Sequence, residues 1–190
     1  PETVLKYKVD NYKKFNEELS KYIYKLYEDD NIGVKKSNKG GWHSQNFKLN
    51  EKDSIQHRFT LELSKYIGNA FKNFGWKIEN KNIRVTEMWG IINKKNDFNV
   101  LHTHPNCYLS AAYYVKTNKK CGNFEVESPN IARRHSYPEL AVQNELNLNI
   151  ASIDISDGDL LLFPSYLPHK VGINESEEDR IVISFNVDAK

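Results

Sequence analysis

The sequence predicts a mainly β protein with N-terminal helices, folded as a double-stranded β-helix, that is, a jelly-roll barrel of antiparallel strands. Three observations lead there. Apolar residues recur at three- and four-residue spacing only before about residue 80, the mark of helices packed by one face. From residue 83 onward the apolar period falls toward two in short runs separated by polar turns, the mark of strands. Strands do not alternate with helical segments, so a parallel βαβ sheet is excluded. At 190 residues the chain is expected to be one domain, with 1–80 as a helical supporting layer and 81–190 as the jelly-roll core.

The elements follow in order. Val4 to Val9 alternates like a short strand, and Asp10 or Asn11 is placed to cap the helix after it. Phe15, Leu19, Tyr22, Ile23 and Leu26 give that helix one apolar stripe, which Asp29 to Gly33 ends. Ser37 to Ser44 is loop chemistry around Trp42. A second helix is expected from Ser54 to Phe74, with Ile55, Phe59, Leu63, Ile67 and Phe71 on one face and Gly75 as its stop. Strands are expected over Ile83–Ile92, Phe98–His104, Tyr108–Val115, Asn123–Glu127, Ile150–Ile155, Asp159–Phe163, His169–Ile173 and Arg180–Val187. Ser128 to Asn149 is a long irregular loop, and loops of that length in compact domains are usually functional. A lid role is open for it. Its Arg133, Arg134 and His135 are expected in solvent.

Composition limits the partners. Hydrophobic residues make up 39%, charged residues 27%, and the net charge is +2 with lysines dispersed among glutamates. A nucleic-acid binder concentrates its basic residues on one face, so no nucleic acid is expected. No apolar run approaches the roughly 20 residues of a membrane span, and no secretory signal is visible. With only Cys107 and Cys121, free thiols and a cytoplasmic location are expected.

The chemistry gathers at His102-Thr103-His104 and at Pro168-His169. Side chains at i and i+2 of an extended segment share a face, so two imidazoles can act together. His169 returns after a long apolar strand and completes a three-ligand claw. Three neutral imidazoles suit a catalytic zinc or a facial iron site with open positions. His43, His57 and His135 fall outside this pattern and are expected to be structural or solvated. Arg180 opens the last strand, and its guanidinium can fork onto a carboxylate. Ser184 shares its parity on that strand. Tyr114 lies inward or in the core, and Trp89, Ile91 and Asn93 alternate onto one face, where core packing is expected.

These residues carry a resemblance. His102 to Pro105, Leu109-Ser110, Tyr113-Tyr114, Gly122, Gly158 to Phe163, Pro168-His169 with Val171, and Arg180 to Asn186 resemble the 2-oxoglutarate and Fe(II)-dependent oxygenases of the prolyl hydroxylase type. They look most like a small uncharacterised bacterial and phage group, which Ser37 to Ser44 also matches. The resemblance implies Fe(II) on His102 and His169; strand register makes His104 the expected third ligand, and if it does not bind, one more position is open to water or another anion. The resemblance also implies 2-oxoglutarate as co-substrate, held by Arg180 with Tyr114, and oxidation of a small molecule or protein side chain with release of succinate and carbon dioxide; Ser184, by its parity with Arg180, is expected to add a hydroxyl donor. One departure is plain. The superfamily pattern is His-x-Asp/Glu followed by His, whereas position 104 here is His.

Two other readings stand beside it. Gly158 through Pro164 to His169 nearly fits a cupin motif, which would give a three-His dioxygenase without 2-oxoglutarate. No Glu follows His104 at the spacing that motif requires. A non-catalytic jelly-roll binding protein is the other alternative. Substrate identity and oligomeric state are not legible in the residues.

Overall fold

A computed structural model describes residues 3–135, 138–144 and 147–190. The elements are β1 (Leu5–Lys8), α1 (Tyr12–Asp29), β2 (Asn38–Lys39), β3 (Trp42–His43), α2 (Ile55–Asn73), β4 (Ile83–Asn93), β5 (Phe98–His102), β6 (Leu109–Lys116), β7 (Phe124–Glu127), α3 (Ile131–His135), β8 (Ile150–Ile153), β9 (Asp159–Pro164), β10 (His169–Val171) and β11 (Arg180–Ala189). Six strands form a major sheet in the order β1-β9-β6-β11-β4-β3, and five form a minor sheet in the order β2-β5-β10-β7-β8. Every pairing is antiparallel.

The two helices bury their apolar stripes on the outer face of the major sheet. Leu19 and Ile23 of α1, and Phe59, Leu63, Ile67 and Phe71 of α2, share one cluster with Tyr113, Leu160, Leu162, Ile183 and Phe185. The alternate residues of the same strands, among them Tyr114, Leu161, Phe163 and Val182, join Trp89 and Phe124 in a second cluster inside the barrel. The period of two thus divides each central strand between a helix-facing core and a cavity-facing wall.

Helix ends have local causes. Ser54 is extended, and its Oγ accepts from the His57 amide at 3.2 Å, a normal N-cap. At the far end Gly75 takes φ +67, and the Gly75 and Trp76 amides close onto Lys72 and Phe71, the left-handed termination that glycine permits. The expected cap of α1 is corrected. Asn11 precedes the helix in a left-handed conformation and makes no side-chain cap. The Asp10 carboxylate pairs instead with Lys65 at 2.7 Å.

β1 completes the major sheet by pairing with β9. There the buried Asp159 takes ion pairs from Lys6 at 3.1 Å and Lys8 at 2.5 Å. Part of the 128–149 loop, and the side chains of Arg133 and Arg134, fall outside the described residues. The described part includes the single short helix α3. Among the described residues no helix is long and apolar enough to cross a membrane.

Candidate metal centre

His102 ends β5 and stands directly opposite His169, the first residue of β10, in the antiparallel register. His104 lies two residues past His102, beyond the strand, where its amide donates to the Ser165 carbonyl at 2.9 Å. That bond turns the imidazole back toward the other two. Ring centroids are 4.3 Å apart for His102 and His169, 5.1 Å for His102 and His104, and 5.2 Å for His104 and His169. One ring nitrogen from each lies within 4.8 Å of the others.

Hydrogen bonds decide which nitrogen faces the centre. His102 Nδ1 meets the Val100 carbonyl at 2.7 Å, His169 Nδ1 meets the Leu167 carbonyl at 2.9 Å, and His104 Nδ1 meets Asn186 Oδ1 at 2.7 Å. Carbonyl oxygens only accept, so each Nδ1 carries the proton and each Nε2 keeps its lone pair. An outer acceptor of this kind orients a metal-binding imidazole and raises its basicity. Burial pulls the pKa of all three below the ordinary histidine value. His104 falls to about 4, with its Asn186 bond opposing the fall, and His169 falls to about 3, with His102 adding to the fall. All three rings are therefore neutral at pH 7, the state that can bind a metal.

The other end of the same cavity is built around Arg180. Its side chain is fully buried. Nη1 donates to the Cys121 carbonyl and, at 3.0 Å, to the Gly172 carbonyl. The close approach of Gly122 and Gly172 brings these two carbonyls together. A Cβ on Gly122 would lie 2.3 Å from the Gly172 oxygen, so only glycine fits. Among the described residues, Nε and Nη2 of Arg180 have no partner, nor do the Tyr114 hydroxyl and both amide atoms of Asn93. Asn93 is the β4 residue opposite Arg180. Buried polar groups are almost always paired, so five orphaned atoms on three neighbouring buried residues mark a place for a polar ligand. Burial raises the Tyr114 pKa, opposed by the nearby guanidinium, which leaves the phenol a hydrogen-bond donor.

Between these ends runs a cavity of about 910 Å³, a size ordinary for a ligand site. The inward residues of β4 and β11 form one wall: Ile91, Trp89 and Glu87 against Val182, Ser184 and Asn186. Trp89 is sandwiched between His43 (5.3 Å, 12°) and His104 (5.8 Å, 18°). Beyond the histidines, Lys36, Arg84, Asn106, Asp188 and Lys190 line the charged mouth.

A family model described as "Putative 2OG-Fe(II) oxygenase" matches residues 87–186, more than half of the 190 residues. The chain belongs to this family. Fe(II) is the metal and 2-oxoglutarate the co-substrate of this oxygenase, and the residues fit both. Three neutral imidazoles offer lone pairs at one end, and an unmatched guanidinium waits at the other.

No curated protein matches the sequence. Solved structures match the whole fold. A prolyl-4-hydroxylase from Pseudomonas putida superposes at TM-score 0.69 with 10% identity, covering 98% of this chain and 92% of its own. HygX from Streptomyces hygroscopicus, solved with nickel, 2-oxoglutarate and hygromycin B, gives 0.67 with 15% identity over 98% and 83%. A Trichoplax adhaerens prolyl hydroxylase, in complex with a hypoxia inducible factor peptide, gives 0.65 with 16% identity over 97% and 83%. At these identities the likeness concerns the fold.

The oxygenase brings together His102, His104 and His169, with Arg180 and Tyr114 at the far end of their cavity. Ser184 lies on the same wall, four residues along β11 from Arg180, about 13 Å of strand. It therefore faces the middle of the cavity, across from Trp89. Trp89 and Ile91 pack in the inner cluster as expected and also line the cavity, as do Asn93 and His43. His57 is structural, with Nδ1 bonded to the Leu49 carbonyl at 2.8 Å. Both cysteines are free. Sequence reasoning passed over Asn186 and Glu87. Asn186 shares parity with Arg180 on β11, which was the available signal. Glu87 is tied to it only by cross-strand register.

Proposed function

We propose that the chain is an Fe(II)- and 2-oxoglutarate-dependent dioxygenase that hydroxylates a small molecule or a protein side chain, with release of succinate and carbon dioxide. His102, His104 and His169 hold the iron. Arg180 grips the distal carboxylate of 2-oxoglutarate through Nε and Nη2, supported by the Tyr114 hydroxyl and the Asn93 amide. Ser184 lines the span between. Bound iron with its co-substrate supplies the oxidising power. The chain's own residues position and shield. The three imidazoles would hold the ion, the apolar wall of Val182, Ile91 and Phe163 would exclude water, and the charged mouth would admit the substrate opposite the Arg180 end.

One observation carries this reading: three imidazoles whose Nδ1 positions are already bonded share a single cavity with a buried guanidinium that has two unpartnered nitrogens. A three-His dioxygenase without 2-oxoglutarate leaves that buried charge unmatched, at a cost of several kcal/mol. The solved neighbours carry hygromycin B in one case and a peptide in another, so the fold accommodates both substrate classes. The test is anaerobic titration of the Fe(II) protein with 2-oxoglutarate, followed by visible absorption. A new charge-transfer band that saturates at one equivalent is expected. An unchanged spectrum, together with absent conversion of 2-oxoglutarate to succinate in air, refutes the proposal.

A further inference from the structure

The surroundings of His104 differ from those of the other two rings. His102 and His169 bond to backbone carbonyls, whose polarity is fixed. His104 bonds to a side-chain amide, which is not fixed by itself, because an asparagine can present either oxygen or nitrogen. Trp89 stacks on the ring and sets its plane. Stacking cannot choose the tautomer, since both tautomers lie in the same plane.

The choice is made one residue further out. Asn186 Nδ2 donates to Glu87 Oε2 at 3.0 Å. A carboxylate only accepts, so the nitrogen of the amide must face Glu87 and its oxygen must face His104. The amide oxygen then requires a proton on His104 Nδ1, which leaves the lone pair on Nε2. Ser110 Oγ also donates to Asn186 Oδ1, at 3.2 Å, but a hydroxyl can reverse its role and imposes no direction. Polarity therefore runs from Glu87 through Asn186 to His104.

The geometry points to Glu87 as a positioning residue that locks His104, through Asn186, in the one tautomer able to bind metal. A carboxylate absent from the inner ring of ligands is thus supplied two hydrogen bonds away. This inference rests on the reading of His104 as a ligand, but the lock itself is visible without metal.

The experiment is a long-range ¹H–¹⁵N correlation spectrum of the histidine rings in the metal-free protein, paired with Ni(II) affinity by calorimetry. Wild type is expected to show His104 wholly as the Nδ1–H tautomer. Glu87→Gln can present oxygen or nitrogen to Asn186, so a mixture of tautomers is expected, with metal affinity lower by roughly 10- to 100-fold, as for other outer partners of metal-bound histidines. The double variant Glu87→Gln with Asn186→Asp places an acceptor-only group directly against Nδ1. It is expected to restore both the single tautomer and the affinity, which a merely structural role for Glu87 would not do. Glu87→Ala, which removes the acceptor, should reproduce the loss in a second background. A single Nδ1–H tautomer in Glu87→Gln, or no recovery in the double variant, overturns the inference. A lock that responds as described while His104→Ala leaves Ni(II) affinity unchanged upholds the tautomer assignment and overturns the ligand role instead.

Discussion

Replacing Arg180 with Met separates co-substrate binding from folding. The guanidinium is fully buried and lacks any carboxylate partner among the described residues, and burial draws its pKa down. Removing such a charge relieves a penalty of several kcal/mol. Against that, the Cys121 and Gly172 carbonyls lose their donor, at about 1–3 kcal/mol for each orphaned acceptor. The opposing terms nearly cancel, so the ligand-free variant is expected to unfold within about 2 kcal/mol of wild type. Binding has no such cancellation. Two hydrogen bonds from a charged donor to a carboxylate are worth about 1.5–3 kcal/mol each, so affinity for 2-oxoglutarate should fall by about 10²- to 10⁴-fold. The assay is anaerobic thermal unfolding of the Fe(II) protein with and without 2-oxoglutarate. At a ligand concentration 100 times the Kd, wild type gains about 2.7 kcal/mol, which for a chain of this size raises Tm by about 5–11 °C. At the same concentration Arg180→Met should gain at most about 0.4 kcal/mol, a shift below about 2 °C. An equal shift in both proteins would refute the assignment of Arg180 to the carboxylate.

Other expectations follow from the same geometry. His102→Ala, His104→Ala and His169→Ala should each weaken Fe(II) binding by more than the 10- to 100-fold typical of an outer-partner loss; calorimetry would show otherwise if one ring were a bystander. Tyr114→Phe removes a buried hydroxyl without a partner, so chemical denaturation of the ligand-free protein should show stability unchanged or raised by about 1–3 kcal/mol, with 2-oxoglutarate affinity about 10- to 150-fold lower. Burial pushes the Asp159 carboxyl up, but hydrogen bonds from Lys8, Lys6 and Ser156 outweigh it and hold the pKa below the ordinary value. A carboxyl with a depressed folded pKa stabilises fully above the unfolded pKa of about 4 and loses that contribution as pH falls through the folded value. Asp159→Asn should therefore be less stable than wild type at pH 7, and urea unfolding curves of the two should converge as pH falls through the depressed folded pKa.

The central strands were legible because each serves two masters. Ile181, Ile183 and Phe185 face the helices while Arg180, Val182 and Ser184 face the cavity, and that division writes a period of two into the sequence. The helices were legible from Leu19–Ile23 and Phe59–Leu63–Ile67 for the complementary reason. β2 and β3 were not, because a two-residue strand carries no period; their pairing with β5 and β4 is set by the tertiary fold. The three histidines announced themselves by spacing, yet the register that sets His102 against His169 depends on a strand pairing that no local pattern encodes. Asn186 and Glu87 remained hidden for a simpler reason. An asparagine and a glutamate ninety-nine positions apart read as two unrelated solvent-facing side chains until strand register joins them.

Charge gives the arrangement its logic. Three neutral imidazoles add nothing to cancel a divalent ion, so an ion held by them would keep its full double charge in a partly dry cavity, where such a charge acts strongly. The buried Arg180 adds a third positive charge at the far end. A dianion spanning both ends would match most of that charge, and a monoanion would leave either the ion or the guanidinium unmatched. The polar interior is tolerable because most of the apolar burial lies elsewhere, between the helices and the outer face of the major sheet. Losing packing there, as in Leu63→Ala, falls on stability at about 2–5 kcal/mol.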